Sequence, residues 1–120
     1  MEQCANRRRF ERIPANSAVL AERANTEPGG LFAVARDLGL GGCALDVASP
    51  IETGTRLKLY LSLGSEVVEA DGLIVHERPV AEGRFRIGVE FLRMDAKNRK
   101  RYKLFLKHPS PVTYGSPGFD

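Results

Sequence analysis

The sequence has no tryptophan, only two cysteines and two histidines, and no long apolar run. Two cysteines without a CxxC spacing or a nearby histidine pair give no metal site. No apolar segment approaches the ~20 residues that a membrane-spanning helix needs, and the charged N-terminus lacks the apolar core of a signal peptide. We therefore expect a cytoplasmic protein with reduced cysteines, no bound metal and no membrane partner.

Patterns typical of catalysis are missing as well. The chain has no Walker-type glycine loop, no GxGxxG, and no serine or cysteine at motif spacing from a histidine. Neither His76 nor His108 stands near carboxylates and cysteines that would make it a base or a metal ligand. We predict a binding protein rather than an enzyme, and no cofactor.

The basic residues are unevenly distributed along a chain whose 120 residues predict one domain. The net charge of +3 is too small to require a nucleic acid partner. Two basic clusters stand near the two ends of the chain: Arg7, Arg8, Arg9 and Arg12, and Lys97, Arg99, Lys100, Arg101, Lys103 and Lys107. We predict that the second cluster is a solvated surface and that the first is functional.

Two short stretches have complementary chemistry. Residues 6–14 contain the N-terminal arginines, and residues 37–42 place Asp37 ahead of three glycines. Arginine presents a planar fork of donors to phosphate oxygens and to the O6/N7 edge of guanine. A carboxylate accepts from the N–H groups of guanine, and glycines allow close backbone approach and positive φ. Together these residue types predict a site for a guanine nucleotide with phosphates.

Six apolar or alternating segments predict β-strands, at residues 17–23, 31–38, 43–48, 56–63, 66–77 and 84–91. Asp95 is a good N-cap, and the pattern that follows it to Lys107 predicts an amphipathic helix. Short turns between strands favour a closed antiparallel barrel, which leaves no exposed strand edge. We predict a flexible basic arm over residues 1–16, a barrel with its helix over 17–107, and a flexible tail over 108–120.

The two stretches also resemble the motifs of a known family. Arg8 to Arg12 has the form RxxxR, and Asp37 to Gly42 has the form [D/N]xSxxG with Gly39 at the serine position. With residues 86–91, their order and spacing resemble the PilZ domain over roughly residues 7–107. This resemblance implies an all-β fold: a six-stranded antiparallel PilZ-type β-barrel with a flexible N-terminal arm and one C-terminal α-helix. It also implies cyclic di-GMP as the ligand.

The resemblance implies roles for individual residues. Arg8 would stack on or bond a guanine, Arg12 would contact phosphate or guanine, and Asp37 would accept from guanine. Gly42 would bring backbone close to the ligand. Gly39 departs from the pattern, because the family's serine supplies a hydroxyl to the ligand and here that donor is missing.

Arg7 stands immediately before RxxxR, and in the resembled family an arginine there favours two intercalated cyclic di-GMP molecules. Arg36, Arg84 and Arg86 either add positive potential near the site or are surface strand charges, and we favour surface strand charges. We predict Cys43 to be a reduced core thiol.

Our interpretation is a cyclic di-GMP receptor of bacterial second-messenger signalling. Binding would order the arm over the barrel and alter contact with a partner protein that the sequence does not identify. One alternative is a degenerate PilZ-like adaptor that does not bind cyclic di-GMP. Another is a small RNA- or DNA-binding barrel, which is disfavoured because three tyrosines and six phenylalanines, mostly alternating inward, offer few stacking platforms.

Overall fold

The computed structural model describes residues 12–24 and 30–109. Six antiparallel strands form a closed barrel in the order β1-β2-β3-β6-β5-β4, and one helix follows them. The elements are β1 (Arg12–Arg23), β2 (Leu31–Gly39), β3 (Gly42–Val47), β4 (Arg56–Leu63), β5 (Glu66–Ala81), β6 (Arg84–Arg93) and α1 (Ala96–Lys107). The predicted all-β barrel with a C-terminal helix is confirmed.

The barrel core follows from side-chain alternation along the strands. In β4, Leu57, Leu59, Leu61 and Leu63 are at most 2% exposed, whereas the residues between them face outward. Burying each leucine stabilises the fold by roughly 1.5–3 kcal/mol. The alternation predicted for β6 also holds, because Ile87 and Val89 are in the core and the phenylalanines flanking them pack against it.

β1 and β5 extend furthest beyond their predicted bounds, and both contain a proline. β1 begins at Arg12 rather than at residue 17, so residues 12–16, assigned to the arm from sequence, are strand. β5 continues to Ala81, past the predicted loop start at Pro79. Pro14 pairs with β2 and lies outside the β1–β4 ladder, and Pro79 pairs with β6 and lies outside the β4–β5 ladder. Each proline is beside a register shift. A proline is tolerated there because no second strand needs its missing N–H.

The helix begins and ends as its sequence indicates. The Asp95 side chain accepts from Asn98 N at 2.8 Å, which satisfies a donor in the first turn. The Asn98 side chain in turn accepts from Glu69 N at 2.9 Å, which ties the helix to β5. At the other end His108, predicted as the first residue of the tail, donates its N–H to Leu104 O at 3.0 Å. Residues 1–11 of the predicted arm and 110–120 of the predicted tail lie outside the described residues.

Candidate functional site

The two sequence motifs meet at the end of the β1–β2 ladder. Arg12 lies opposite Gly39, and Pro14 lies opposite Asp37. The Arg12 guanidinium donates from Nη1 to the Asp37 carboxylate, although the two residues are 25 positions apart in the chain. Both side chains are partly exposed, at 49% and 35%. The structure therefore places the last arginine of RxxxR and the acid of the second motif side by side on the surface.

A β-bulge explains why Asp37 faces outward. The β2–β3 register shifts between Ala35 and Asp37, and the β1–β2 register shifts between Pro14 and Ser17. Ala35 and Leu38 are both fully buried, whereas Arg36 and Asp37 between them are half-buried. A bulge re-aims side chains in this way because one extra residue breaks the strict alternation. Arg36 and Asp37 are therefore consecutive residues on the outer face.

The backbone at the motif glycines is not left-handed, and one of them lies against a neighbouring strand. Among the described residues, positive φ is recorded at Gly54, Gly64 and Gly83, none of which belongs to the motif. A Cβ on Gly42 would lie 2.1 Å from the carbonyl oxygen of Val89, so the close approach of β3 to β6 requires glycine there. The motif glycines therefore do not use the positive φ that glycine allows, and Gly42 has a packing reason that is independent of any ligand.

The turn between β2 and β3 is held by the helix and by β6. The Tyr102 hydroxyl donates to Gly39 O at 2.5 Å, and Phe91 N donates to Gly41 O at 2.9 Å. Tyr102 is 1% exposed, and its ring meets Phe91 edge to face with the centroids 5.4 Å apart. Burial raises the pKa of the Tyr102 phenol well above its ordinary value. The motif turn is thus bonded directly to α1.

Cys43 follows this turn and lies in the core, as predicted. Its thiol is fully buried, and burial raises the pKa of Cys43 to about 12. A thiol with so high a pKa is a poor nucleophile, because the reactive form is the thiolate.

A cluster of arginines around Asp46 was missed in the sequence. Asp46 is 5% exposed, and it accepts from Arg86 Nε at 2.7 Å, from Arg86 Nη2 at 3.1 Å and from Arg36 Nε at 2.9 Å. Arg84 Nε lies 3.7 Å from the same carboxylate. We call Arg36, Arg84 and Arg86 the arginine row. The hydrogen bonds from Arg86 and Arg36 outweigh the burial and lower the pKa of Asp46 to about 2.

The three arginines are partly exposed strand residues, as predicted, but their sharing of one carboxylate was not predicted. The signal was present in the sequence: Asp46 alternates with the inward-facing Leu45 and Val47, so it had to face outward. Its pairing with Arg86 across β3 and β6 depended on a register that the sequence pattern does not reveal.

A pocket of about 320 Å³ lies between the motif turn, the end of β6 and α1. Apolar side chains form much of its lining, and three cations also contribute: Leu40, Phe91, Leu92, Met94 and Tyr102, with Arg93, Arg99 and Lys103. The pocket adjoins the turn that Tyr102 holds, so a change in the turn would alter its wall.

Arg7 and Arg8, both predicted to bind ligand, lie outside the described residues. Within residues 12–24 and 30–109, no group of three or more histidine, cysteine, aspartate or glutamate side chains could hold a metal ion. In the same part of the chain no helix is long and apolar enough to cross a membrane.

Solved structures with the same fold extend the comparison. The chain is similar to the PilZ domain of YcgR from Escherichia coli, solved with c-di-GMP (TM-score 0.64, 23% identity, 81% of this chain and 86% of that one). It is also similar to the PilZ domain of CeSA from a cellulose-synthesizing bacterium (TM-score 0.63, 20% identity, 82% and 99%). A third is the K. pneumonia MrkH–c-di-GMP complex (TM-score 0.66, 17% identity, 83% and 51%).

The chain spans about half the length of MrkH and of Bacillus subtilis MotI/DgrA, another structure with this fold. A search of curated proteins finds no significant match. The description of the PilZ domain, in contrast, matches residues 6–108, which include both motifs, the whole barrel and the helix. With nearly the entire chain matched, the protein belongs to the PilZ domain family.

Proposed function

We propose that this protein is a cyclic di-GMP receptor that acts as an adaptor in bacterial second-messenger signalling. The observation that carries the proposal is the contact between Arg12 and Asp37, which joins the two sequence motifs in one place. The PilZ domain of YcgR and the MrkH protein, both similar in fold, were solved as complexes with c-di-GMP. Membership of the same family supports the transfer of that ligand to this chain.

The chemistry of the site suits a guanine edge. Asp37 offers carboxylate oxygens to the guanine N–H donors, and Arg12 offers donors to O6, N7 or a phosphate oxygen. The bulge keeps Asp37 at the surface, within reach of a ligand lying on the barrel. Arg7 and Arg8 stand a few residues before β1 in the sequence, and we propose that they close over the ligand as the arm orders. Ordering of a segment by a ligand is an established kind of molecular switch.

The output of the switch would pass through the β2–β3 turn. Gly39 and Gly41 belong to the binding motif, and their carbonyl groups accept from Tyr102 in α1 and from Phe91 in β6. A ligand that shifts the turn would therefore shift the helix or the pocket wall beside it. We propose that a partner protein recognises this changed surface.

The proposal is tested by calorimetric titration of the chain with cyclic di-GMP, with GTP and single-stranded RNA as comparison ligands. We expect cyclic di-GMP to bind at low- to sub-micromolar concentration, about −8 kcal/mol. NMR shifts should appear at Asp37 and Gly39 and at arginines of residues 7–12. Binding of RNA but not of cyclic di-GMP would contradict the proposal and favour a nucleic-acid-binding barrel.

A degenerate adaptor is the second candidate, and Gly39 is the observation that favours it. The missing hydroxyl removes one donor from the motif, so the site could have lost its ligand while the barrel kept its fold. In that case none of the three ligands would bind, and Gly39→Ser would restore binding of cyclic di-GMP only.

A further inference from the structure

The arginine row holds more positive charge than its carboxylate can neutralise. Three guanidinium groups lie within 2.7–3.7 Å of the single Asp46 carboxylate. On β5, Arg78 stands directly opposite Arg86 in the ladder, which adds a fourth cation on the next strand. Like charges placed opposite each other repel, and one carboxylate offsets only one of them. Such an arrangement favours a second anion.

The geometry of the row is fixed rather than loose. Arg86 uses Nε and Nη2 on Asp46, so neither bond uses its Nη1. Arg36 bonds Asp46 through Nε and Asn16 through Nη1 at 2.9 Å. The side chains remain 31% exposed at Arg86, 36% at Arg36 and 50% at Arg84. Pre-oriented guanidinium groups that still reach solvent are well suited to the paired oxygens of a phosphate.

The row is next to the nucleotide site. Arg36 directly precedes Asp37, and the bulge turns both side chains outward. Asp37 is also close enough to Arg86 to help raise the pKa of that guanidinium, after the larger effect of its hydrogen bond to Asp46. Resting on the proposed function, we propose that the arginine row binds the phosphate groups of the cyclic dinucleotide. Asp46 is then a positioning residue that aims Arg36 and Arg86 at them.

The first test compares Arg86→Gln and Arg36→Gln with Arg56→Gln in titrations with cyclic di-GMP. Arg56 is an exposed arginine at the start of β4, and its replacement removes the same charge from another part of the barrel. We expect each row variant to bind roughly tenfold more weakly than the control, the effect of losing one charge-assisted hydrogen bond. Arg86→Lys should recover only part of this loss, because an ammonium cannot reproduce the fork.

The sharper test is Asp46→Asn, because two explanations predict opposite signs. If the row acts only through its overall positive potential, removing a negative charge will tighten the binding of an anionic ligand. If Asp46 positions the arginines, binding will weaken although the surface becomes more positive, and we expect this weakening. Glu52→Gln, at an exposed acid before β4, is the control for charge. Near-ultraviolet circular dichroism shows whether the variant has kept its fold.

A further measurement separates this inference from the proposed function. Inorganic pyrophosphate is titrated into the parent chain while the Nε–H resonances of Arg36, Arg86 and Arg56 are followed by NMR. Shifts at Arg36 and Arg86 without shifts at Arg56 support the subsite even if cyclic di-GMP does not bind. Equal shifts at all three, or none, overturn it. If cyclic di-GMP binds but the row variants match Arg56→Gln, the receptor proposal survives and the phosphate subsite does not.

Discussion

At the scale of single residues, the ion pair between Arg12 and Asp37 is expected to affect ligand binding more than folding. The pair is partly exposed, and exposed ion pairs contribute only about 0–1 kcal/mol to stability. In the proposed function the same two side chains would supply the donor and the acceptor for a guanine. Substitutions at this pair should therefore change affinity much more than they change the free energy of unfolding.

We expect Arg12→Ala to weaken cyclic di-GMP binding by about 1–3 kcal/mol, the range for a bidentate guanine contact, and Arg8→Ala to do the same. The melting temperature of Arg12→Ala should stay close to that of the parent. Calorimetry measures the affinity, and Arg56→Ala is the matched control. Parent-like affinity in both Arg8→Ala and Arg12→Ala would rule out the arginine clamp.

Gly39→Ser tests the departure from the family motif. Gly39 ends β2 and is not among the positive-φ glycines, so serine meets no penalty from left-handed backbone. The added hydroxyl should bond a phosphate, worth roughly 1.5–3 kcal/mol, and tighten cyclic di-GMP binding about tenfold or more. Affinity and melting temperature are measured together. Unchanged or weaker binding with an intact fold would show that this loop does not use its third position as the family does.

Gly42→Ser is the contrasting control for that experiment. Its Cβ would collide with the Val89 carbonyl in the backbone of β6, so we expect a loss of roughly 1–3 kcal/mol or more in stability. Two glycines three positions apart in one motif should thus respond to the same substitution in opposite ways.

At the scale of secondary-structure elements, Asp46 links strands that adjoin in the barrel. Its partners are on β2 and β6, and Asp46 itself is on β3, so the network spans three neighbouring strands. Pairwise side-chain contacts between strands are a main source of sheet stability.

This network predicts a pH dependence of stability. The pKa of Asp46 falls from 3.8 to about 2 on folding, so its contribution is complete above pH ~4 and is lost as the pH falls towards 2. The contribution is on the order of 2 kcal/mol by the relation between pKa shift and free energy. Urea unfolding between pH 2 and pH 6 measures it. In Asp46→Asn the free energy of unfolding should change less steeply with pH between pH 2 and pH 4. An unchanged pH dependence would contradict the assignment of this effect to Asp46.

Tyr102 connects the helix to the motif turn. We expect Tyr102→Phe to lower the free energy of unfolding by about 1 kcal/mol, since it deletes the donor to the Gly39 carbonyl and keeps the ring contact with Phe91. Urea denaturation measures the change. Tyr60→Phe, on the outward-facing side of β4, is the control and should be nearly neutral. Equal effects of the two substitutions would show that the hydrogen bond contributes nothing specific.

The elements that were predictable from sequence are those with a regular period. The alternating leucines predicted the position of β4, and the Asp95 cap predicted the start of α1, because alternation and capping are local properties of the chain. The bulge at Arg36 and the convergence on Asp46 were not predictable in the same way, because both depend on strand register. Pro14 and Pro79 had the opposite effect and made the predicted strands too short. A proline is tolerated at these two positions because each pairs with one neighbouring strand, which again depends on register.

At the scale of the whole molecule, the barrel brings together residues from the beginning, middle and end of the chain. Arg12, Asp37 and Tyr102 come from three distant segments and meet around one turn. The chain spans about half the length of several proteins of this fold, so in those relatives the barrel is one part of a larger molecule.

Ligand stoichiometry is a property of the whole complex, and we expect two cyclic di-GMP molecules per chain. Arg7, next to Arg8, would stack on the second guanine and offset repulsion between phosphates. Arg7→Ala should bring the calorimetric stoichiometry towards one. A calorimetric stoichiometry depends on the fraction of protein that is able to bind. The Arg7→Ala value is therefore compared with the parent value from protein prepared in the same way. A one-to-one isotherm for the parent would contradict this expectation.

The burial of Tyr102 also gives the molecule an optical signal. With no tryptophan in the chain, near-ultraviolet circular dichroism arises from tyrosine and phenylalanine alone. Among the described tyrosines, Tyr102 is the one held in the core, by its bond to Gly39 and by the ring of Phe91. Fixed aromatic side chains produce this signal, and it vanishes when their packing is lost. The tyrosine part of the spectrum therefore reports on the packing of the helix against the motif turn, so that loss of this packing on unfolding can be followed without a label.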